Sequence, residues 1–422
     1  MGKEIRPNKV EVAIIGGGIM GVCIAYYSAR LGSEIVLLEK DELGAGCSGA
    51  NAGLIVPGHS LPLATPGIMA KGIRWLLNPE SPFYIKPRFE PELFSWLWTF
   101  RRACQAEKMF KSMAYLCELN AASKSLFEEM AAEGVNFFFE KKGLLIVCRT
   151  KANWKAAIEE AHDKEKLGVT VDILDQESIL QKEPTLKPEV IGGLYFPQDA
   201  HIDCLEFVEA VAAKAKEKGV KVLTKAEVIG WQKANGRIKK VLTTRGEIEA
   251  EQFVLAAGAW SPYLIKDLDL KLLVQPAKGY SLTYRKPINS PSIPMILSET
   301  KVAVTPLAEG LRFGGTLELA GLDLKITHRR VEAIKKAIPN YLKAIDPEKL
   351  EFLMLWRGLR PCSPDGLPFI GRSQKYNNLI IACGHSMQGV SLGPITGKIV
   401  AQILAGEKPL IDLTPMAVDR YN

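Results

Sequence analysis

Three glycines and a carboxylate set out the first chemistry in this chain. Gly16, Gly18 and Gly21 form G-x-G-x-x-G directly after the apolar run 12–15, and Glu39 closes a second apolar run at 35–38. The first glycine allows a tight turn, the second lets backbone approach a pyrophosphate, and the third lets helix and strand pack closely. Ile19 and Met20 open the helix whose N-terminus offers free N–H groups and a positive dipole end to phosphate. Glu39 falls where a carboxylate accepts the hydroxyls of an adenosine ribose. Strand, turn, helix, strand and acid in this order predict a dinucleotide site, with FAD and NAD undecided by this stretch alone.

Two further turns repeat the theme. The strand predicted over 253–256 runs into Ala257, Gly258, Ala259 and Trp260, and the strand over 379–382 runs into a turn bounded by Gly384 and Gly389. Small residues after a buried strand admit a flat ligand. The loop 41–60 has the same small-residue composition and directly follows Glu39.

The elements that must position these residues are spread along the chain. An α/β rhythm occupies the start, returns at Asp203, a predicted N-cap for a helix over 205–218, and returns again near 379. Ala234-Asn235-Gly236 between 228–231 and 238–243 predicts a hairpin. Helices are expected over 116–133, 152–167, 331–338 and 390–404, the last stopped by Gly406. Residues 271–354 alternate as antiparallel strands do. Residues 356–372 read as a loop with one apolar stretch. The segment 71–102 departs from this rhythm, interleaving Trp75, Phe89, Phe94, Trp96, Trp98 and Phe100 with Lys71, Arg74, Arg88, Arg101 and Arg102. That mixture suits an interfacial membrane contact and equally the packing of helices broken by proline.

Composition bounds the class. The chain has 422 residues, 47% apolar and 24% charged, which are ordinary globular values for two or three domains. A net charge of +7 without a long basic run gives no nucleic-acid signature. The eight cysteines form no C-x-x-C pair, so neither a zinc site nor a dithiol motif is expected, and no metal is assigned. Reduced thiols and the absence of an apolar N-terminal signal region lead to a cytoplasmic expectation. No apolar run approaches the ~18–20 residues that span a bilayer.

Four stretches then carry a resemblance. Residues 16–21 with Glu39, residues 48–53, the segment Trp356-Arg357-Gly358-Leu359-Arg360-Pro361, and Gly384-His385-Ser386-Met387-Gln388-Gly389 resemble the D-amino-acid oxidase superfamily of FAD-dependent oxidoreductases. Residues 48–67, 277–283 and 358–372 are similar to its D-amino-acid dehydrogenase small-subunit branch, and the likeness runs nearly end to end. The resemblance implies an α/β fold: a Rossmann-like FAD-binding domain, interrupted as in glutathione-reductase-type proteins, and an α+β substrate domain on an antiparallel sheet. The expected boundaries are 8–60, 199–270 and 355–422 for the FAD domain, and 61–198 and 271–354 for the substrate domain.

The resemblance also implies FAD as cofactor and oxidative deamination of a D-amino acid, or a related small amino or imino acid. Hydride would pass from the substrate α carbon to flavin N5, and electrons would leave to a quinone or other carrier at the inner face of the membrane. Two alternatives share the flavin: an oxygen-using glycine-, sarcosine- or proline-type amine oxidase, and an FAD-binding subunit of a membrane-associated dehydrogenase complex.

By the same resemblance, Gly16, Gly18, Ile19, Met20 and Gly21 would carry the pyrophosphate, and Glu39 and Lys40 the adenosine end. Cys47, Ser48, Asn51, Ala52, Gly53 and Leu54 would line flavin and phosphates. Val228 would pack on adenine, with Ala257, Gly258 and Trp260 nearby. Met387, Gln388, Gly389 and Val390 would sit over the pyrimidine end, where a helix N-terminus stabilises negative charge. Arg360 would grip the substrate carboxylate, because a carboxylate fits the planar two-donor fork of arginine. Tyr280 would assist on the same carboxylate, with Arg312 and His59 as weaker substrate-binding candidates.

Overall fold

The computed structural model describes residues 9–76 and 81–421, with the side chains of Lys71, Ile73, Arg74 and Leu76 also outside the description. Two large sheets organise it. The first runs Lys221–Leu223, Ile35–Leu38, Lys9–Ile15, Gly246–Leu255, Arg237–Thr243, Val228–Ala234. Leu379–Cys383 adds in parallel to the far end of Gly246–Leu255, and Phe369–Arg372 pairs with it. The central strands are apolar because the sheet is covered on both faces: Ile35–Leu38 is buried throughout. On one face, the helix Ile19–Ser28 has all ten residues buried. It is apolar all round because Cys204–Glu217 and Gly393–Ala405 pack beside it in one core.

Local signals explain several of these elements. Asp203 caps Cys204–Glu217 by accepting from the Leu205 and Glu206 amides. Asn235 and Gly236 both have positive φ, the geometry that joins Val228–Ala234 to Arg237–Thr243 in a tight hairpin.

The second sheet runs Phe352–Cys362, Gln275–Arg285, Gly310–Leu319, Val302–Pro306, Met295–Leu297, Leu144–Cys148, Gly192–Phe196, Asp172–Asp175, with Phe83–Ile85 added to one end of Gly310–Leu319. It is antiparallel apart from that addition and the pairing of Met295–Leu297 with Leu144–Cys148. One face packs on the helix His328–Ala337. The other turns toward the residues that follow Glu39.

Three expectations shift. Residues 356–362 are not loop but part of the edge strand Phe352–Cys362, paired with Gln275–Arg285 over its whole length, so a boundary at 355 cuts a strand of the substrate sheet. Apolar alternation there is masked by Arg357, Arg360 and Pro361, which an edge strand tolerates. The helix expected over 116–133 spans Ala106–Ala132, and it packs against Gly393–Ala405, so a segment assigned to the substrate domain completes the other domain's core. The last helix begins at Gly393 rather than 390, after a turn that carries Gly389 and Val390. Among the described residues, no helix is long and apolar enough to cross a membrane, and no group of three or more His, Cys, Asp or Glu stands ready for a metal.

Candidate active site

A cleft open to solvent runs along the C-terminal ends of the first sheet's strands. At one end Glu39 is buried, with one carboxylate oxygen accepting the Gly17 amide at 2.6 Å and the other the Asp41 amide at 2.9 Å. These bonds fix the carboxylate's aim and leave lone pairs for hydroxyl donors. Lys40 lies over the Trp260 ring at 4.1 Å, and with Val228 they wall this end.

In the middle, Gly16, Gly18, Ile19 and Met20 present the start of the helix, and Ala257 and Gly258 face them. Gly18 is the N-cap and brings no side-chain cap, which leaves helix amides for an anion. Ser48 accepts the Ile19 amide at 3.0 Å and so fixes the following loop against the helix end. Cys47, Ser48 and Asn51 line the cleft from that loop.

At the far end stand Gly389 and Val390, with Pro361, His385 and Ser386. Ser386 has φ +52, its amide donates to the Pro361 carbonyl at 2.9 Å, and its hydroxyl accepts from the Ser363 amide. The turn is thereby tied to the end of the arginine strand. His385 bonds Thr396 through Nε2 at 3.0 Å, and burial pushes its imidazole down to about 3, so it stays neutral. An elongated, small-walled cleft with a ribose-directed acid at one end and a helix start at mid-length fits a dinucleotide carrying a flat ring.

Several expected residues lie elsewhere. Gly21 does not reach the cleft: a Cβ there would fall 1.8 Å from the Gly16 carbonyl oxygen, so its role is the close helix–strand contact. Ala52, Gly53 and Leu54 also turn away. The carbonyls of Ala50, Asn51 and Ala52 accept in turn from Ser281 (2.7 Å), Arg312 (2.9 Å) and Thr305 (2.7 Å). Leu54 pairs with His201 in a small separate sheet. The segment straps the two sheets together, which its small-residue composition could not distinguish from ligand contact. Gln388 is buried and bonded to Asn120 and to the Leu61 carbonyl, and the Met387 side chain is half exposed.

The substrate candidates separate by sheet face. Arg360 pairs with Ala277, and its guanidinium lies over Gly279 on the face toward Cys47. Its Nη1 donates to the Thr316 carbonyl at 2.9 Å, and no described carboxylate pairs with it. The next residue, Pro361, lines the cleft. Burial pushes the Cys47 thiol up to about 11 against the pull of the Arg360 charge.

Tyr280, by contrast, pairs with Arg357 and faces the opposite side, where it belongs to the core under His328–Ala337 and its hydroxyl accepts the Thr327 amide at 3.0 Å. One residue of register separates it from the Arg360 face. Arg312 shares that face but is engaged at all three nitrogens: it donates to Thr283, Asn51 and Asp203. His59 turns from the cleft, with Nδ1 3.0 Å from Glu160 and its amide donating to Asp199. Gly46, Glu227, Leu264, Ala382 and Cys383 also line the cleft and carried no distinguishing signal, being apolar or charged residues of ordinary strands and turns.

Comparison with known proteins agrees with this geometry. The family model described as FAD dependent oxidoreductase (DAO) matches residues 11–403. A D-amino acid dehydrogenase of Bradyrhizobium diazoefficiens is 31% identical over 98% of this chain and 99% of its own length, and one of Agrobacterium fabrum is 33% identical over 98% and 100%. Among solved structures, glycine oxidase from Geobacillus kaustophilus superposes with a TM-score of 0.80 at 23% identity, covering 98% of this chain and 99% of that one. L-proline dehydrogenase from P. horikoshii gives 0.75 at 24% identity, covering 99% and 98%. The chain belongs to the DAO family of FAD-dependent oxidoreductases, and FAD is its cofactor.

Proposed function

We propose that the protein oxidises a D-amino acid to the 2-oxo acid and ammonia, and hands the electrons to a quinone or other carrier. The observation that carries the reading is Arg360, a guanidinium beside the cleft with one donor engaged and no carboxylate on it. The near end-to-end similarity to proteins named D-amino acid dehydrogenase supports the same substrate class.

FAD, which Gly16, Gly18, Ile19, Met20 and Glu39 would hold along the cleft, would supply a two-electron oxidant for the substrate α carbon. The chain supplies binding and orientation. Arg360 receives the carboxylate as a fork and so holds the substrate at the cleft. The turn 384–392 and the start of Gly393–Ala405 close the far end with backbone dipoles rather than charged side chains. No general base is assigned there: His385 is neutral and engaged with Thr396, and Cys47 is held as a thiol. The substrate therefore reacts as the free amine, and kcat/KM should rise with pH toward the amine's own pKa.

The test is a panel of D- and L-amino acids, sarcosine and proline with a dye acceptor under anaerobic conditions, set against peroxide release in air. D-amino acids should reduce the dye without stoichiometric peroxide. Turnover confined to sarcosine, proline or glycine with peroxide release would overturn the reading.

The aromatic-basic segment supports a peripheral place at an anionic, inward-facing membrane surface. The helix Pro91–Ala103 buries Leu93, Trp96 and Phe100 but presents Phe94 and Trp98 outward, beside exposed Arg101 and Arg102 and a fully exposed Phe89. Burying these rings in a headgroup layer beside arginines fits interfacial binding. Co-flotation with anionic vesicles at low salt, lost in Phe94→Ser/Trp98→Ser, is the expected result, and no flotation of the wild type refutes it.

A further inference from the structure

Arg360 does not reach its position through its own strand. Its guanidinium crosses the neighbouring strand at Gly279 and bonds to the strand beyond, at the Thr316 carbonyl. Both contacts depend on departures from regular sheet. Lys278 pairs with Glu318 but Tyr280 pairs with Gly315, so Thr316 and Leu317 together oppose the single residue Gly279. That is a β-bulge, which re-aims main-chain groups. Thr316 sits in it with φ +64, a conformation a β-branched residue adopts only where its surroundings impose it. Its hydroxyl is buried and bonds to no described residue. What Thr316 supplies to its neighbours is therefore its main-chain oxygen.

Gly279 completes the arrangement. A Cβ built there would lie 2.1 Å from Arg360 Nη1 and 2.6 Å from Cζ, so any larger residue occupies the guanidinium's place. The side chain is held flat against bare backbone at one end and by one hydrogen bond at the other. Of its five N–H donors one is committed, and the remaining fork keeps a fixed direction.

Resting on the reading of Arg360 as carboxylate binder, we infer that the Thr316 bulge and Gly279 are positioning residues. They orient the substrate-binding fork without touching substrate, and so set the affinity for the carboxylate rather than the oxidation itself.

The experiment uses flavin-loaded enzyme with the best D-amino acid of the panel, and propionate as a competing carboxylate without an amine. Gly279→Ala, whose backbone permits alanine, should raise KM and the propionate inhibition constant about tenfold or more while kcat stays within about threefold, because orientation of a bidentate contact is lost and the cofactor site is not touched. Thr316→Pro, which forces φ negative, should do the same, and Thr316→Gly, which can keep the left-handed backbone, should bring KM back to within about threefold of wild type. Should Thr316→Pro lose its flavin spectrum, Gly279→Ala decides alone. If Arg360→Ala raises KM but Gly279→Ala leaves it within twofold, the positioning inference fails while the carboxylate reading stands. If Arg360→Ala leaves KM unchanged, both fall.

Discussion

Arg312 and Arg360 stand on the same face of the same sheet, on strands separated only by Gln275–Arg285. Residue type and setting are nearly the same, and what separates them is how many donors each has engaged. Arg312 is 4% exposed and commits Nε to Thr283, Nη1 to the Asn51 carbonyl and Nη2 to Asp203. It joins the substrate sheet to the loop after Glu39 and to the cap of Cys204–Glu217. Arg360 commits one Nη1 to a backbone carbonyl and keeps the rest of its fork free. A buried arginine engaged at all three nitrogens acts as a fastener, and one with spare donors beside a cleft is free for the receptor role proposed above.

The largest effect should come from removing the receptor. Arg360→Ala is expected to raise KM for amino acids roughly 30- to 1000-fold, about 2–4 kcal/mol for a charge-assisted fork, with flavin content and Tm close to wild type. Steady-state kinetics beside the visible flavin spectrum reads both. A loss of flavin with no change in KM would invert the comparison and make Arg360 a second fastener.

Arg312→Ala should behave in the opposite sense. It leaves Asp203 Oδ2 without its cation and the Asn51 carbonyl with only the weak Cys204 thiol donor, at a cost of about 2 kcal/mol in stability, because Asp203 is partly exposed and water recovers part of the loss. Denaturant unfolding should show this loss, while KM for the retained holoenzyme rises far less than in Arg360→Ala. A larger KM effect at Arg312 than at Arg360 would exchange their roles.

The two arginines also show what a sequence can and cannot reveal. The cofactor half was legible because its parts are close in the chain: Gly16, Gly18 and Glu39 lie within one strand–helix–strand unit, and each has a local reason to be where it is. The hairpin at Asn235-Gly236 and the cap at Asp203 were legible for the same reason. The substrate half depends on register between strands far apart in the chain. Whether Tyr280 faces the cleft or the helix behind the sheet turns on one residue of phase, and local pattern is silent when both faces are buried: ten of the eleven residues in Gln275–Arg285 are buried. Likewise, nothing within 310–319 announces that Arg312 will meet Asp203, more than 100 residues away. The small residues Ala52 and Gly53 signalled close approach correctly, but close approach to strands of the other sheets rather than to a ligand.

The two arginines have a pH-sensitive neighbour. What titrates beside them is the turn on which the arginine strand ends. His385 is buried and held neutral, its folded value pushed down to about 3, while the unfolded chain takes up a proton near the ordinary 6.5. Below 6.5 the unfolded state binds the extra proton, so stability is lost as pH falls from about 6.5 toward 3, by up to about 1.4 kcal/mol per pH unit for one proton. Asp199 acts with the opposite sign. Burial lifts it to about 7 against hydrogen bonds from the Gly58 and His59 amides, so its contribution is lost as pH rises from the ordinary carboxylate value through 7. His201, which burial pushes down to about 4, adds a second slope of the His385 sign. His385→Gln, which can still bond Thr396, removes one histidine slope, so the variant should gain on the wild type as pH falls below 6.5. Parallel pH profiles of Tm would show that His385 is not buried neutral.

The smallest expected effect sharpens the fastener side of the comparison. Three consecutive carbonyls, of Ala50, Asn51 and Ala52, each take one side-chain donor from a different strand of the substrate sheet. Ser281→Ala and Thr305→Val remove the two neutral donors and should each cost about 1 kcal/mol, half or less of the Arg312 effect, since neither leaves a charge behind. If the strap acts as one unit, the second loss in a Ser281→Ala/Arg312→Ala pair should cost less than it does alone, because the loop is already free, and a double-mutant cycle should return a coupling of about 0.5 kcal/mol or more. Strict additivity would mean that the three bonds act as independent pins, and that Arg312 holds its domain contact through Asp203 rather than through the loop.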